Sequence, residues 1–568
     1  MLKIVRGPVG SGKSRYCREE IIKTLKEAPL GPAVFYLVPG SATFENEYLL
    51  NTREDLPGSF RLQVVNLQKL SLKVMREFKA ELKNSSVFIY KLSLKKVLAE
   101  KKEELLVLKK AAAKGSFVED LLSLFQEFRR YRVKPSDLLK ASLTINDYPL
   151  HQKLLDLHLL YQLYLEKFGE EFTPEGILER LIENSQKSKL LKGAKVFIDG
   201  FYTFTPLEVE VIKALLKTSA EVTITFPDEY EGKILSKIAS AAKEQGLKVE
   251  EVFLKNYERF QTKELTHLAQ NPYPYPTPAF LEETENISFI SVANPLEEME
   301  KAAQIIRHLC KEKGYKLADF LVLMPEDSYY QTNLKNVFAE YSLPVDVDQN
   351  LAFSHHQLYL LLRGLLGELN QERAIVSLKS GLLNLTPEES FLLENYLLSR
   401  GLDTRDFTDK KAWEQSYWTI WKKGFGEIIS FTRELSSLKT YREFSQRLKE
   451  VLVKVGVPRK LAAEKGERFW KALINLLTEV EEAFGDEEVD PLSFAEELLT
   501  FLKNLSLKTV PLGLDQVRAG SIKKYWNSEA RVVIILGAVE GSFPPKPAVG
   551  LIFTEEERTK LKNIGLEL

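Results

Sequence analysis

Cysteine is almost missing from this chain: Cys17 and Cys310 are the only two in 568 residues, and they lie far apart. Neither a disulfide framework nor a four-cysteine metal site can be assembled from them. Histidine is sparse as well, at six residues. His355 and His356 lack cysteine or carboxylate companions at ligand spacing, and His308 with Cys310 makes one pair without a second, so packing roles are expected for all four. No uninterrupted apolar run reaches the roughly 18 residues of a membrane span. An excess of one charge is missing too, since 79 basic against 80 acidic residues leave a formal net charge of −1. That excludes a surface coated in basic charge, so nucleic-acid binding would depend on where Lys and Arg cluster. The strand-like start at residue 2 leaves no room for a leader, and a cytoplasmic location without membrane contact is the expectation.

What is present is ordinary soluble-protein composition, 44% hydrophobic and 28% charged, in a chain too long for one core. About 150 residues per domain predicts roughly four units. The most informative segment stands almost at the start. Gly7-Pro8-Val9-Gly10-Ser11-Gly12-Lys13-Ser14 reads G-x-x-x-x-G-K-[ST], the phosphate loop of nucleotide-binding proteins. Triphosphate recognition needs inward-facing backbone N–H groups, a cation at the β- and γ-phosphates and a hydroxyl on Mg²⁺, and these residue types meet the three needs. Leu2-Lys3-Ile4-Val5 before the loop suits a buried strand. After it, Cys17, Ile21, Leu25 and Ala28 share a helical face until Pro29. Strand, loop and helix thus stand in the order that aims a helix dipole at phosphates. ATP and Mg²⁺ are the expected ligands.

Further α/β signals follow at Ala33 to Val38 and Phe60 to Val65, then an almost wholly helical stretch in which Leu154, Leu157, Tyr161, Tyr164 and Phe168 form one stripe. Strand signals return at Lys195 to Asp199 and Val222 to Phe226, so the first sheet is expected to be completed after a helical insertion. A proline- and tyrosine-rich run, Asn271 to Pro278, reads as a linker. The second half repeats the logic with strands at Ile287 to Ile290, Phe320 to Met324 and Val532 to Leu536 around another helical region. The predicted layout is a first α/β domain of residues 1–84 and 192–270 holding a helical insertion 85–191, and a linker 271–284. A second α/β domain of residues 285–356 and 506–568 holds a helical insertion 357–505.

Four segments resemble a known family. They are the loop Gly7 to Ser14, the segment Val38-Pro39-Gly40-Ser41-Ala42-Thr43-Phe44, the run Ile198-Asp199-Gly200-Phe201-Tyr202-Thr203-Phe204-Thr205-Pro206-Leu207-Glu208, and the stretch from Asp515 through Glu540-Gly541-Ser542-Phe543-Pro544 to Arg558. Together they resemble superfamily 1 helicases of the UvrD type, and within that group the AddB (RexB) subunits of bacterial helicase-nucleases. The resemblance covers essentially the whole chain. It implies two RecA-like parallel-sheet domains, each with a helical insertion. It also implies an AddA-type helicase-nuclease partner in a heterodimer, and work on double-strand DNA ends and single-stranded DNA in recombinational repair. Full AddB-like chains continue into a nuclease domain with an iron–sulfur cluster; neither is expected in this polypeptide, which reads as a fragment of a longer frame.

The residue chemistry qualifies the picture. A motor ATPase needs an Asp in the Mg²⁺ shell, a Glu beside it to polarise water, and arginines on the transferring phosphoryl group. Asp199 supplies the first; Gly200 stands where the glutamate is needed, and Leu323-Met324-Pro325-Glu326-Asp327 offers no arginine. Nucleotide binding with little or no hydrolysis is therefore expected, and no catalytic residue is assigned. Glu208 either substitutes for the glutamate or caps a helix in the Thr205-Pro206-Leu207-Glu208 signature. For DNA, Phe128-Arg129-Arg130-Tyr131-Arg132-Val133-Lys134 reads either as an aromatic and basic single-strand groove, with Arg129, Arg130 and Arg132 on phosphates, or as a helix end. Lys523-Lys524-Tyr525-Trp526 departs from the serine-containing basic pattern of the family. Glu540, Gly541 and Phe543 are DNA-facing by resemblance; the other reading is a strand-ending turn. A self-sufficient superfamily 1 translocase, and a DNA-binding scaffold with a vestigial loop, are the rival readings.

Overall fold

The computed structural model describes the chain outside residues 56–57, 79–85, 114, 169–172, 229–231, 261, 272–275, 277, 327, 348–349, 464–465, 509–514, 526–528, 544 and 546–551. The first body comprises Met1–Asn84, Ser93–Val347 and Asp515–Leu568, and the second Ser85–Leu92 and Asp348–Leu514.

The first body contains two parallel sheets. In the larger, β1 (Leu2–Gly7), β2 (Val34–Leu37), β3 (Leu62–Val65), β4 (Lys195–Ile198), β5 (Glu221–Pro227) and β6 (Val249–Phe253) are arranged β3-β2-β4-β5-β1-β6. Parallel strands need crossovers, and the helices that make them cover both faces, so the central strands read as near-continuous apolar runs. Val34, Phe35, Tyr36 and Leu37 are all fully buried. β1 lies between β5 and β6, with Leu2 level with Val222 on one side and Val249 on the other. Its carboxyl end therefore opens in the interior of the sheet, where open α/β sheets place ligand loops. Leu2, Ile4, Ile198, Ile212 and Ile224 sit in the core on one face, while Cys17, Ile21, Tyr36 and Val38 pack on the other.

The second sheet runs in the order β12-β7-β11-β8, all parallel. Its strands are β7 (Phe320–Met324), β8 (Val345–Val347), β11 (Val517–Ser521) and β12 (Val532–Ile535), and the helix Pro295–Lys313 packs Met299, Ala303 and Ile306 into its core. The two sheets with their flanking helices are two RecA-like domains, as the helicase resemblance implies. The strand expected at Ile287–Ile290 is not formed. An extended segment becomes a strand only where a neighbour takes up its N–H and C=O groups, and among the described residues no strand pairs with it. Phe289 is 97% exposed.

Between β3 and β4 the chain is helical. The helix Gly115–Arg130 packs Phe125 and Phe128 against Tyr161 and Tyr164 of the helix Tyr148–Phe168, with ring centroids 4.9 to 5.2 Å apart. The carboxylate of Asp156, 2% exposed, accepts the N–H groups of Leu106, Val107 and Leu108 and so fixes the turn beside it.

Among its described residues the second body is mainly helical, with one antiparallel strand pair, β9 (Asn350–Ala352) and β10 (Ser506–Lys508). Its core gathers Trp421, Phe425, Phe431, Phe444, Leu448, Leu473 and Leu498. Trp421 is stacked on Phe425 at 4.0 Å and donates its indole N–H to the Phe407 carbonyl at 3.1 Å. Here the structure departs from the expected boundary at residue 85. Phe88 and Ile89 belong to this core, Phe88 lying 4.7 Å from the Phe501 ring. His356 accepts the Leu358 N–H at a helix start and stacks on Phe469, which is a packing role.

Candidate nucleotide site

The glycine-rich loop at residues 7–14 follows from β1 directly. Gly7 closes the strand, Gly10 and Gly12 take positive φ values of 82° and 83°, and α1 (Lys13–Glu27) starts at the lysine. Left-handed backbone is costly for residues with a Cβ, so the spacing of glycines is what lets the chain turn from strand to helix in five residues. The Lys13 ammonium donates to the carbonyls of Gly7 at 2.8 Å and Pro8 at 2.7 Å. It thus lies across the mouth of the loop, where the β- and γ-phosphates of a nucleotide would meet it. Ser11 is buried within the turn. Ser14, on the first turn of α1, lines a small recess with Arg18, Glu45, Asn46, Leu49 and Glu529.

Two ion pairs cross this recess and tie the second sheet's segments to the first sheet's helices. Arg18 meets Glu529 at 2.7 Å, and Arg518 of β11 meets Glu45 at 2.9 Å. Burial opposes the Arg18 charge, but Glu529, Tyr36 and Asp199 together hold its pKa above the ordinary arginine value.

Asp199 ends β4 and is 2% exposed. One carboxylate oxygen accepts the Tyr36 hydroxyl at 2.7 Å, and the other accepts the Thr225 hydroxyl. These donors come from β2 and β5, the two neighbours of β4, so the strand order itself brings them together. Burial pushes the Tyr36 phenol well above its ordinary pKa and Asp199 pushes the same way, so the phenol stays protonated as a donor. Burial, then Asp199, does the same to the Cys17 thiol, which is an inert core group. The loop residues fit a triphosphate with Mg²⁺ on Ser14. Asp199, 2% exposed with one hydroxyl on each oxygen, could reach that cation only through water.

Gly200 has a φ of 80°. Thr205 and Glu208 form a reciprocal capping box at the start of the helix Pro206–Thr218. The Glu208 carboxylate accepts the Thr205 N–H at 2.8 Å. Glu208 is therefore a helix cap and does not stand in for the glutamate beside Asp199.

The basic run at 128–134 ends a helix, and its Phe128 and Arg129 are turned inward, whereas the Arg130 and Arg132 side chains are about half exposed. Phe128 is fully buried and Arg129 is 4% exposed, with the Arg129 guanidinium donating to Thr173 at 2.7 Å and Glu179 at 2.5 Å. Neither can reach a base or a phosphate. Arg130 donates to the buried Glu175 at 2.9 Å, and Arg132 pairs with Glu210 at 3.4 Å. Arg132 also takes a φ of 59° at the left-handed position that ends the helix, where the Val133 N–H returns to the Phe128 carbonyl. The side chains of Lys523 and Lys524, and Trp526, lie outside the described residues, as does Pro544.

Glu540, Gly541 and Phe543 lie in a turn beyond the carboxyl end of β12. Gly541 has a φ of 79°, and the Ser542 and Phe543 N–H groups return to the Val539 carbonyl. Glu540 and Gly541 are exposed, and Phe543 is half-buried. Upstream, Glu298 braces the turn by accepting the Gly537 N–H at 2.8 Å and the Tyr330 hydroxyl at 2.6 Å. The helix Glu555–Asn563 is anchored on the first body's helical region by Arg558 to Glu127, Lys560 to Asp147 and Lys153 to Glu557. Among the described residues no three His, Cys, Asp or Glu side chains gather as a metal site, and no helix is long and apolar enough to cross a membrane.

Three groups at the site have no motif to announce them: Tyr36 and Thr225 on Asp199, the ion pairs of the recess, and the segment Leu254–Phe260 beside the loop. The pairing order of the strands is the signal for the first, and sequence alone does not carry it.

Residues 4–269 match a family model described as ADDB, N-terminal. Over its whole length the chain is 65% identical to the B subunit of the ATP-dependent helicase/deoxyribonuclease of Carboxydothermus hydrogenoformans, of which it covers 52%. It is 29% identical to the protein of that description from Pelotomaculum thermopropionicum and 30% identical to the one from Bacillus thuringiensis strain Al Hakam, covering 54% of each. The chain thus spans about half the length of the curated relatives it matches.

Proposed function

The chain belongs to the AddB family, and on that premise we propose that it is the helicase-like region of a helicase/deoxyribonuclease component that binds ATP but hydrolyses it little or not at all. ATP is held at Gly7 to Ser14, with Lys13 on the β- and γ-phosphates and Ser14 on Mg²⁺. DNA is met by the turn Glu540 to Phe543 beyond the second sheet, and an AddA-type partner supplies the motor and completes a heterodimer acting on broken DNA ends.

The observation that carries this reading is the contrast between two glycine-dependent turns of the first sheet. At β1 a turn with glycines in left-handed backbone leads into the amino end of a 15-residue helix, which supports phosphate binding there. At β4 the position after Asp199 is Gly200 with a φ of 80°, a backbone conformation that glutamate adopts only under strain. The first turn supports binding, and the second withholds the water-polarising group that hydrolysis needs.

Two measurements on the purified chain test it. DNA-stimulated turnover is expected to stay below about 1 s⁻¹, the low end for ordinary enzymes; faster turnover would favour a self-sufficient translocase. Equilibrium titration is expected to show ATP binding that Lys13→Ala weakens at least tenfold, whereas equal affinities would favour a scaffold with a vestigial loop.

A further inference from the structure

The segment that follows β6 lies along the phosphate loop. The Leu254 N–H donates to the Arg6 carbonyl at 2.8 Å, and the Arg259 N–H donates to the Gly10 carbonyl at 3.0 Å. Each loop glycine faces one residue of this strap. A Cβ on Gly7 would stand 2.5 Å from the Leu254 carbonyl oxygen, and one on Gly10 would stand 2.5 Å from the Phe260 ring. One on Gly12 would stand 3.0 Å from the Glu258 carboxylate. Arg15, on the first turn of α1, holds that carboxylate at 3.5 Å.

The strap therefore brings a negative charge to the amino end of α1, beside Gly12 and within one residue of Lys13. The dipole of a helix start favours an anion at this place. In the nucleotide reading the phosphates seek the same field. Two anions compete there, one attached to the protein and one on the ligand. Like charges in a partly desolvated site repel strongly enough to govern affinity.

We propose that Glu258 is a built-in competitor of the nucleotide phosphates, so that the strap Leu254–Phe260 shifts when ATP binds and sets its affinity. The proposal rests on the reading that the loop takes ATP, and it adds that the loop without nucleotide is held by the protein's own carboxylate. Because the competition is one of charge, its effect grows with the number of phosphates on the ligand. A strap that merely supports the loop would show no such grading.

The test is titration of the intact chain, in the presence of Mg²⁺, with ATP, ADP and adenosine. Wild type, Glu258→Gln, Glu258→Ala and Lys13→Ala are compared, with far-UV circular dichroism confirming that each is folded. Glu258 is half exposed, so its replacement is expected to leave the fold intact. Both Glu258 variants are expected to bind ATP on the order of tenfold more tightly, ADP with a smaller gain, and adenosine as wild type does. Equal ATP affinity in wild type and both Glu258 variants, with Lys13→Ala still weakened, would overturn the competitor and leave the ATP reading standing. Equal tightening of adenosine and ATP would overturn it as well, by showing a steric effect. Absence of ATP binding in wild type and in both Glu258 variants would remove the ATP reading itself.

Discussion

At the scale of single residues, the first sheet is decided by what surrounds Asp199. Its carboxylate is closed in by the Tyr36 and Thr225 hydroxyls. A buried ionised group needs such partners, since an unsatisfied one loses its hydration without compensation. Removing the Tyr36 hydroxyl by Tyr36→Phe is expected to destabilise the first body by about 1–3 kcal/mol, read from urea midpoints at unchanged slope. Stability restored to the wild-type value by millimolar Mg²⁺ would show that a cation fills the gap, and would return Asp199 to the metal shell. Gly200 supplies the second residue-scale prediction. With its φ of 80°, Gly200→Glu is expected to cost about 1–2 kcal/mol and to leave DNA-stimulated ATP turnover at its low wild-type level. A tenfold rise in turnover would show that the site lacks only this carboxylate. The position of Asp199 at a strand end was legible in the sequence from its apolar run. Its partners were not, because Tyr36 and Thr225 come from strands 163 and 26 positions away that only the sheet order brings alongside.

At the scale of elements, what could be read was whatever repeats locally. β2, β4, β7 and β12 are largely apolar runs, β1 and β5 mix apolar with polar residues in short strand-like stretches, and the Thr205 and Glu208 signature marks a helix start by local hydrogen bonding alone. β6, with Glu250 and Glu251 at its centre, and β11, written Val-Arg-Ala-Gly-Ser, carry no such run. β6 is an edge strand whose acidic residues face solvent or bases. β11 lies between β7 and β8, with Val517 and Ala519 fully buried in the core of the second sheet. Ile287–Ile290 shows the converse: an apolar run without a paired neighbour remains outside the sheet. The inward turn of Arg129 was not legible for a related reason. Composition does not tell an arginine that neutralises a phosphate from one that neutralises a glutamate across a helical core. Arg129→Ala is accordingly expected to behave as a core mutation. It should lower stability by about 1–3 kcal/mol, through the hydrogen bonds lost to Thr173 and to the partly exposed Glu179. The salt dependence of single-strand DNA binding, measured by fluorescence anisotropy, should stay the same. A slope reduced by about one would instead indicate a lost phosphate contact.

At the scale of the whole molecule, the two bodies have separate cores, and the aromatic residues divide between them unevenly. Trp413, Trp418, Trp421 and Trp470 belong to the second body, whereas Trp526 falls in the residue range of the first. Both cysteines fall in the first body, with Cys17 fully buried beneath its larger sheet. Tryptophan fluorescence and thiol exposure therefore report on different cores. A ligand that binds one folded body stabilises it by about 2.7 kcal/mol at a hundredfold excess over its Kd, and it acts on the other only if the two unfold together. ATP at the phosphate loop is expected to raise the temperature at which Cys17 becomes reactive in a Cys310→Ser background. The main tryptophan transition should move by less than a degree. Lys13→Ala should abolish the first shift and leave the second as it was. Parallel movement of both transitions would show that the chain melts as one cooperative unit, and that nucleotide bound at residues 7–14 is felt as far as Trp421.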